Sequence, residues 1–242
     1  MSEKSEYIKN RFNHEGISLT EKQAAQFETY YEMLIETNKV MNLTAITDFV
    51  DVVEKHFLDS GMITKYFDFS SVSNFIDVGT GAGFPGIPLK ILYPQVKATL
   101  LDSLNKRMVF LQNVVDKLEL NHVELIHGRA EDFGKDKAYR EKYDLCVSRA
   151  VANLSTLSEY CTPFVKVGGY FISYKSGNVD EELEIAKAAI KLLGCKTRKV
   201  HKFFLQSETD GQGRSFILIE RLNVLDKKYP RKAGMPSKMP LK

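Results

Sequence analysis

The decapeptide DVGTGAGFPG, residues 77–86, constrains this chain more than any other stretch. Before it, Asn74-Phe75-Ile76-Asp77-Val78 is a short apolar run that ends at a glycine, the pattern of a buried parallel strand. After it, Pro85 suits the first turn of a helix whose apolar positions are Ile87, Leu89, Ile91 and Leu92. Glycines at 79, 81 and 83 let the backbone turn sharply and let a ligand lie against it. The helix start behind them adds free amides and the positive end of a dipole. A strand, glycine loop and helix in this order bind a nucleotide-like ligand.

Two ligands compete for such a loop. Gly81 to Gly86 satisfies G-x-G-x-x-G and Asp102 follows about twenty residues on, so a dinucleotide and a nicotinamide-dependent oxidoreductase are permitted. The glycines are also spaced G-x-G-x-G, as in class I methyltransferases. Asp77, two residues before the first glycine, is expected to meet the ammonium or backbone environment of a methionine moiety. Both details point to S-adenosylmethionine.

The rest of the chain supports an α/β fold with additions at both ends. Residues 1–70 read as a helical extension, with Thr20 as N-cap and Gln23 completing a capping box. Phe27, Tyr30, Tyr31, Leu34 and Ile35 form its apolar face, read as core rather than as a base-stacking surface. His56 reads as a buried, hydrogen-bonded histidine. No second ligand lies at metal spacing, so no metal is expected. Residues 71–222 alternate strand and helix. Asp102 ends the second strand, where a carboxylate suits both hydroxyls of a ribose or caps the next helix. The loop GRAED, 128–132, offers backbone amides near Ala130 and Glu131 to an adenine edge. Ser148-Arg149-Ala150 ends the fourth strand, facing the same crevice.

Lys196–Leu205 and Arg214–Leu222 are joined by eight residues with no helix between them, so they are expected to form an antiparallel hairpin. A parallel sheet finished in this way is the class I methyltransferase arrangement, Rossmann-like but distinct from a dehydrogenase half. Residues 223–242 form a basic tail, broken by prolines at 230, 236 and 240. With Arg221 and with Lys196, Arg198, Lys199 and Lys202 upstream, the tail reads as a phosphate-binding strip packed on or near an RNA site; Arg231 and Lys232 are its candidate RNA contacts. Net charge is only +3, so the distribution carries this argument rather than the total. The three cysteines form no C-x-x-C pair, and no apolar run approaches a membrane span or a signal-peptide core, which suits a cytoplasmic protein.

The assembled motifs resemble the bacterial 16S ribosomal RNA guanine-N7 methyltransferases, also called glucose-inhibited division protein B. The matching blocks are NLTAIT at 42–47, HFLDS at 56–60, DVGTGAGFPGIPLKI at 77–91 and DSLNKRMVFL at 102–111. GRAED at 128–132, SRAVANL at 148–154 and YPRKAGMPSKMPL at 229–241 complete them. The resemblance implies S-adenosylmethionine held by Gly79, Gly81 and Phe84, with Asp102, the Ala130–Glu131 backbone and Arg149. It implies 16S ribosomal RNA as partner, in the small subunit or an assembly intermediate. One departure is Lys175-Ser176-Gly177, where the family commonly has lysine followed directly by glycine.

The expected chemistry needs no catalytic base, because guanine N7 carries an in-plane lone pair and no proton. An amine methylase would carry an Asp/Asn-Pro-Pro-aromatic run where Ser148-Arg149-Ala150 stands, and neither Cys146 nor Cys161 has the setting of a cytosine-C5 nucleophile. Arginine paired to O6 and N7 would occupy the attacking lone pair. Arg149 is therefore expected beside the cofactor, or in an ion pair with an acid such as Asp144. The remaining alternative is a non-catalytic RNA-binding assembly factor.

Overall fold

The computed structural model describes residues 1–149, 152–205 and 211–242. Ala150 of the expected Ser148-Arg149-Ala150 strand end lies outside the described residues, as do positions 206–210 of the expected hairpin connection. Seven strands form one sheet in the order β3-β2-β1-β4-β5-β7-β6. They are β1 (Asn74–Val78), β2 (Lys97–Asp102), β3 (Val123–His127), β4 (Tyr143–Arg149), β5 (Val165–Ser176), β6 (Cys195–Leu205) and β7 (Gln212–Arg221). The first five pair in parallel, and β7 enters antiparallel between β5 and β6. The expected hairpin is therefore present. A pair joined without a helical crossover has no parallel option.

Residues 1–70 contain helices and no strand. These are α1 (Glu3–His14), α2 (Glu21–Asn38), α3 (Phe49–Val52), a π-helical turn over Val53–Leu58, α4 (Asp59–Gly61) and a 3-10 turn over Met62–Lys65. Thr20 caps α2 with the reciprocal Gln23 bond of a capping box. Phe27, Tyr30 and Leu34 are buried, so the aromatic face of α2 is core, as expected. It does not form a core of its own. Ile8, Phe12 and Phe57 share one apolar cluster with Leu100 of the sheet and with Leu89 and Leu111 of the helices that cover it. Side chains of α2 also satisfy the ends of the sheet's helices. Gln23 Nε2 donates to Ile91 O (2.8 Å) and Gln26 Nε2 to Leu118 O (2.7 Å), carbonyls that helix termini leave open.

That face of the sheet also carries α5 (Gly86–Leu92) and α6 (Asn105–Lys117). The opposite face carries α7 (Ala130–Phe133), α8 (Leu154–Cys161) and α9 (Asp180–Leu192) over a second core that includes Ile76, Cys146 and Ile217. All three cysteines are buried thiols. No helix among the described residues is long and apolar enough to cross a membrane.

The C-terminal tail is more fixed than its prolines suggest. Its Met235–Lys238 segment forms one helical turn, α10. Arg140 holds the carbonyls of Leu225 (3.0 Å) and Tyr229 (2.7 Å), and Thr156 Oγ1 donates to Pro236 O (2.9 Å). Arg221 is not part of a surface strip. Only 1% exposed, it pairs with Glu141 and donates to Thr162 O and Val165 O.

Candidate active site

A crevice of about 520 Å³ opens at the carboxyl ends of β1, β2 and β4, within the size range of ligand pockets. Gly79, Gly81 and Phe84 line it from the first loop and Asp102 from β2. Ala130 and Glu131 line it from α7, and Arg149 from β4. All seven candidate cofactor residues, far apart in sequence, thus meet in one wall system. Strand ends at a point where the order reverses, β1 between β2 and β4, place them there.

The glycines serve different ends. Gly81 has φ +62° and nothing within 4 Å of a Cβ position, so its bare face is open to the crevice. A Cβ on Gly83 would come within 2.6 Å of the Tyr30 hydroxyl and 2.7 Å of Ile87 Cγ1. Gly83, at φ +104°, is therefore demanded by its backbone conformation and by side chains of α2, α5 and α6 packed against it. The Tyr30 hydroxyl uses that closeness to donate to Ala82 O.

Asp77 does not reach the crevice, contrary to expectation. It is fully buried behind the loop, where Oδ2 accepts from Thr80 Oγ1 (2.7 Å) and Gly86 N (2.8 Å). Burial pushes its pKa up to about 7, against the lowering effect of those two bonds. Its work is to tie the strand end to the helix start. Pro85 likewise sits one residue before α5 rather than inside it.

Asp102 ends β2 on the crevice wall. It does not cap α6, whose N-cap is Leu104. Instead Oδ1 accepts from Leu104 N (2.9 Å), while Oδ2 accepts from Gly81 N (2.9 Å) and Arg107 (3.1 Å). One carboxylate thus fixes both the glycine loop and the turn after β2, on the crevice wall.

Arg149 lies in an ion pair, but with Asp59 (3.0 Å) rather than Asp144. Asp144 binds Lys166 and the Ser73 backbone instead. Arg214 Nε reaches the other oxygen of Asp59 at 3.0 Å. The Arg149 guanidinium also lies over the Phe84 ring, 5.0 Å from its centroid, a cation–π arrangement. Phe84 also stacks with His56 at 4.6 Å and 23°, and meets the rings of Tyr30 and Phe57.

His56 comes from the π-helical turn and lines the crevice, while Val53 and Phe57 of the same turn lie in the core. Its Nε2 is 2.8 Å from Thr44 Oγ1, and Nδ1 is 3.3 Å from Arg149. Burial, then the charge of Arg149, pull its pKa down to about 3, so the ring is neutral at pH 7. His56 is hydrogen-bonded as expected, but it is half-buried because it lines the crevice. NLTAIT and HFLDS are crevice walls because Thr44 and His56 meet there, and no spacing rule announces that meeting. The unfolded chain protonates His56 below its ordinary value of 6.5, whereas the folded chain resists until about 3. Folding stability is thus expected to drop as pH falls through that window. In urea titrations at pH 7.5 and pH 5, the stability gap between wild type and His56→Asn should narrow at the lower pH; a constant gap would refute the neutral assignment.

The candidate RNA contacts separate. Lys232 is exposed and carries no ion pair among the described residues. Arg231 is not a free cation. It grips the fully buried Glu159 through Nε (2.9 and 3.1 Å) and Nη2 (2.6 Å), and Nη2 also donates to Met239 O. Glu131 does similar work, accepting from Gly234 N at 2.7 Å, so the crevice and the tail share α7. Upstream, Arg198 is paired with Glu220 and Lys202 with Asp180.

The strand order, the antiparallel β7 and the glycine-walled crevice define a Rossmann-like, class I methyltransferase fold. Among solved structures, a SAM dependent methyltransferase from Aquifex aeolicus superposes with TM-score 0.51 at 17% identity, covering 70% of this chain and 93% of that one. TYW2 from M. jannaschii, solved in complex with AdoMet, gives 0.52 at 15% identity, covering 68% and 77%. The rRNA small subunit methyltransferase G family description matches residues 23–209. A protein of that name from Brevibacillus brevis is 52% identical over 227 residues, 94% of each chain. Another, from Oceanobacillus iheyensis, is 48% identical over 238 residues, covering 98% of this chain and 99% of its own. The chain belongs to the rRNA small subunit methyltransferase G family.

Proposed function

We propose that the protein transfers a methyl group from S-adenosylmethionine to N7 of a guanine in 16S ribosomal RNA. The carrying observation is the 52% and 48% identity, over nearly the whole chain, to proteins named small subunit methyltransferases. The residues present fit the cofactor. Gly81 turns an unobstructed backbone face to the crevice, and Asp102 offers a carboxylate at the end of β2 that suits ribose hydroxyls. Gly79 and Phe84 would flank the methionine side, with Arg149 behind Phe84. Ala130 and Glu131 would supply backbone to the adenine.

S-adenosylmethionine supplies an electrophilic methyl group on a sulfonium centre. The chain's own task is positioning, since N7 brings its lone pair and has no proton to remove. No base is required, which agrees with a neutral His56 held between Thr44 and Arg149. Base edges in an RNA duplex are inaccessible in the deep major groove, so the target guanine is in a loop or splayed from its stack. Lys232 and the exposed lysines at 227, 228 and 238 would grip phosphates beside the crevice, in the small subunit or a precursor of it.

Incubating the protein with labelled S-adenosylmethionine and small subunits from cells lacking it should place one N7-methylguanine in 16S ribosomal RNA. Absence of label on naked RNA, precursors and mature subunits alike would leave the protein as a non-catalytic assembly factor.

A further inference from the structure

The crevice continues past Arg149. A second cavity of about 660 Å³ adjoins it, and the two share His56 and Arg149 as walls. Lys175 at the end of β5, Glu182 in the first turn of α9 and Arg214 of β7 close its far side. Lys175 Nζ donates to Glu182 Oε1 (2.6 Å) and to Ala152 O (2.8 Å). Leu154 N donates to the same Oε1 (2.6 Å), so Oε2 keeps its acceptor capacity among the described residues. The other acid in the wall, Asp59, is committed to two guanidiniums.

We propose that this second cavity receives the target guanine and that the Lys175–Glu182 pair reads its Watson–Crick edge. The assignment rests on guanine-N7 transfer being the reaction. Guanine presents two adjacent donors, N1–H and the N2 amine, beside the O6 acceptor. A carboxylate next to an ammonium is the matching array, with Glu182 accepting from N1–H and N2 while Lys175 donates to O6. Adenine reverses the pattern. Its amine would face Lys175 and its N1 lone pair would face Glu182. Reading that edge leaves N7 free, unlike arginine pairing to O6 and N7. The cations lining the cavity are all paired, Lys55 with Asp51, Arg149 and Arg214 with Asp59, and Lys175 with Glu182, so selection falls to hydrogen bonding at the Lys175–Glu182 pair and not to net charge.

The test compares small subunits carrying guanine at the methylated position with subunits rebuilt with inosine there, which lacks the N2 amine. For wild type, kcat/KM on inosine should fall on the order of tenfold. Glu182→Gln keeps an acceptor for Leu154 N but sets an amide donor against N1–H. It should lower kcat/KM on guanine by on the order of 10–100-fold, shrink the inosine penalty towards one, and hold S-adenosylhomocysteine affinity within about twofold. Lys175→Met should slow guanine similarly while keeping the wild-type ratio of guanine to inosine. An inosine penalty equal in wild type and Glu182→Gln, a loss confined to S-adenosylhomocysteine binding, or full activity in Lys175→Met would overturn the assignment. Failure of wild type to methylate guanine N7 at all would instead remove the reaction on which it rests.

Discussion

Arg231→Ala should lower the melting temperature by roughly 6–12 °C, a stability loss of about 3 kcal/mol. The cause is Glu159, fully buried on α8, whose carboxylate loses its guanidinium and is left charged in the interior. Arg231 N still donates to Glu159 Oε1 at 2.8 Å, which keeps the loss from growing further. Glu159→Gln in the same background should recover part of it, because an amide costs less to bury than an unpaired anion. Lys232→Ala is the contrast. With an exposed side chain, it should leave melting within experimental scatter, weaken RNA binding, and reduce the salt slope of that binding by about 1. Calorimetric melting and RNA binding at several salt concentrations separate the two. An Arg231→Ala protein of normal melting temperature and reduced RNA affinity would return Arg231 to the phosphate strip.

Asp102→Ala should weaken S-adenosylhomocysteine binding by on the order of 100-fold or more. Charge-assisted hydrogen bonds are worth about 1.5–3 kcal/mol each. The substitution would remove those offered to the ribose together with the anchor of Gly81 N and Leu104 N. Gly81 borders the crevice and Leu104 is exposed, so water can take both amides, and the fold should survive while the loop loses its set position. Asp102→Asn, which keeps one carbonyl oxygen, should lose less. Titration calorimetry reads both, and affinity of Asp102→Ala within about threefold of wild type would show that the ribose is held elsewhere.

The first-loop residues were legible because a strand, a glycine turn and a helix are consecutive in sequence, and local backbone demands leave local signatures. Asp102 was legible for the same reason, one strand later. The hairpin of β6 and β7 followed from a connection too short for a crossover. Arg221 was misread, and the pairing of Arg231 went unseen, because composition counts charges without regard to their partners. Glu159 lies 72 positions before Arg231 and Glu141 lies 80 before Arg221, separations that carry no periodicity. Asp77 was assigned to the ligand because strand-end acids face outward as readily as inward, and only the closeness of Gly86 N decides between them.

The sequence alone therefore determined the layer architecture and the glycine loop, which rest on spacing along the chain, and the family, which rests on the resemblance of its motif blocks. Tertiary structure alone decided that Arg149 is bound to Asp59 and covers Phe84, that His56 walls two cavities, and that side chains of α2, α5 and α6 pack against Gly83. The physical reason is the same in each case. Charge pairing, ring stacking and steric closeness act through space over a few ångströms, and the chain segments that supply the partners are joined only when both faces of the sheet are covered.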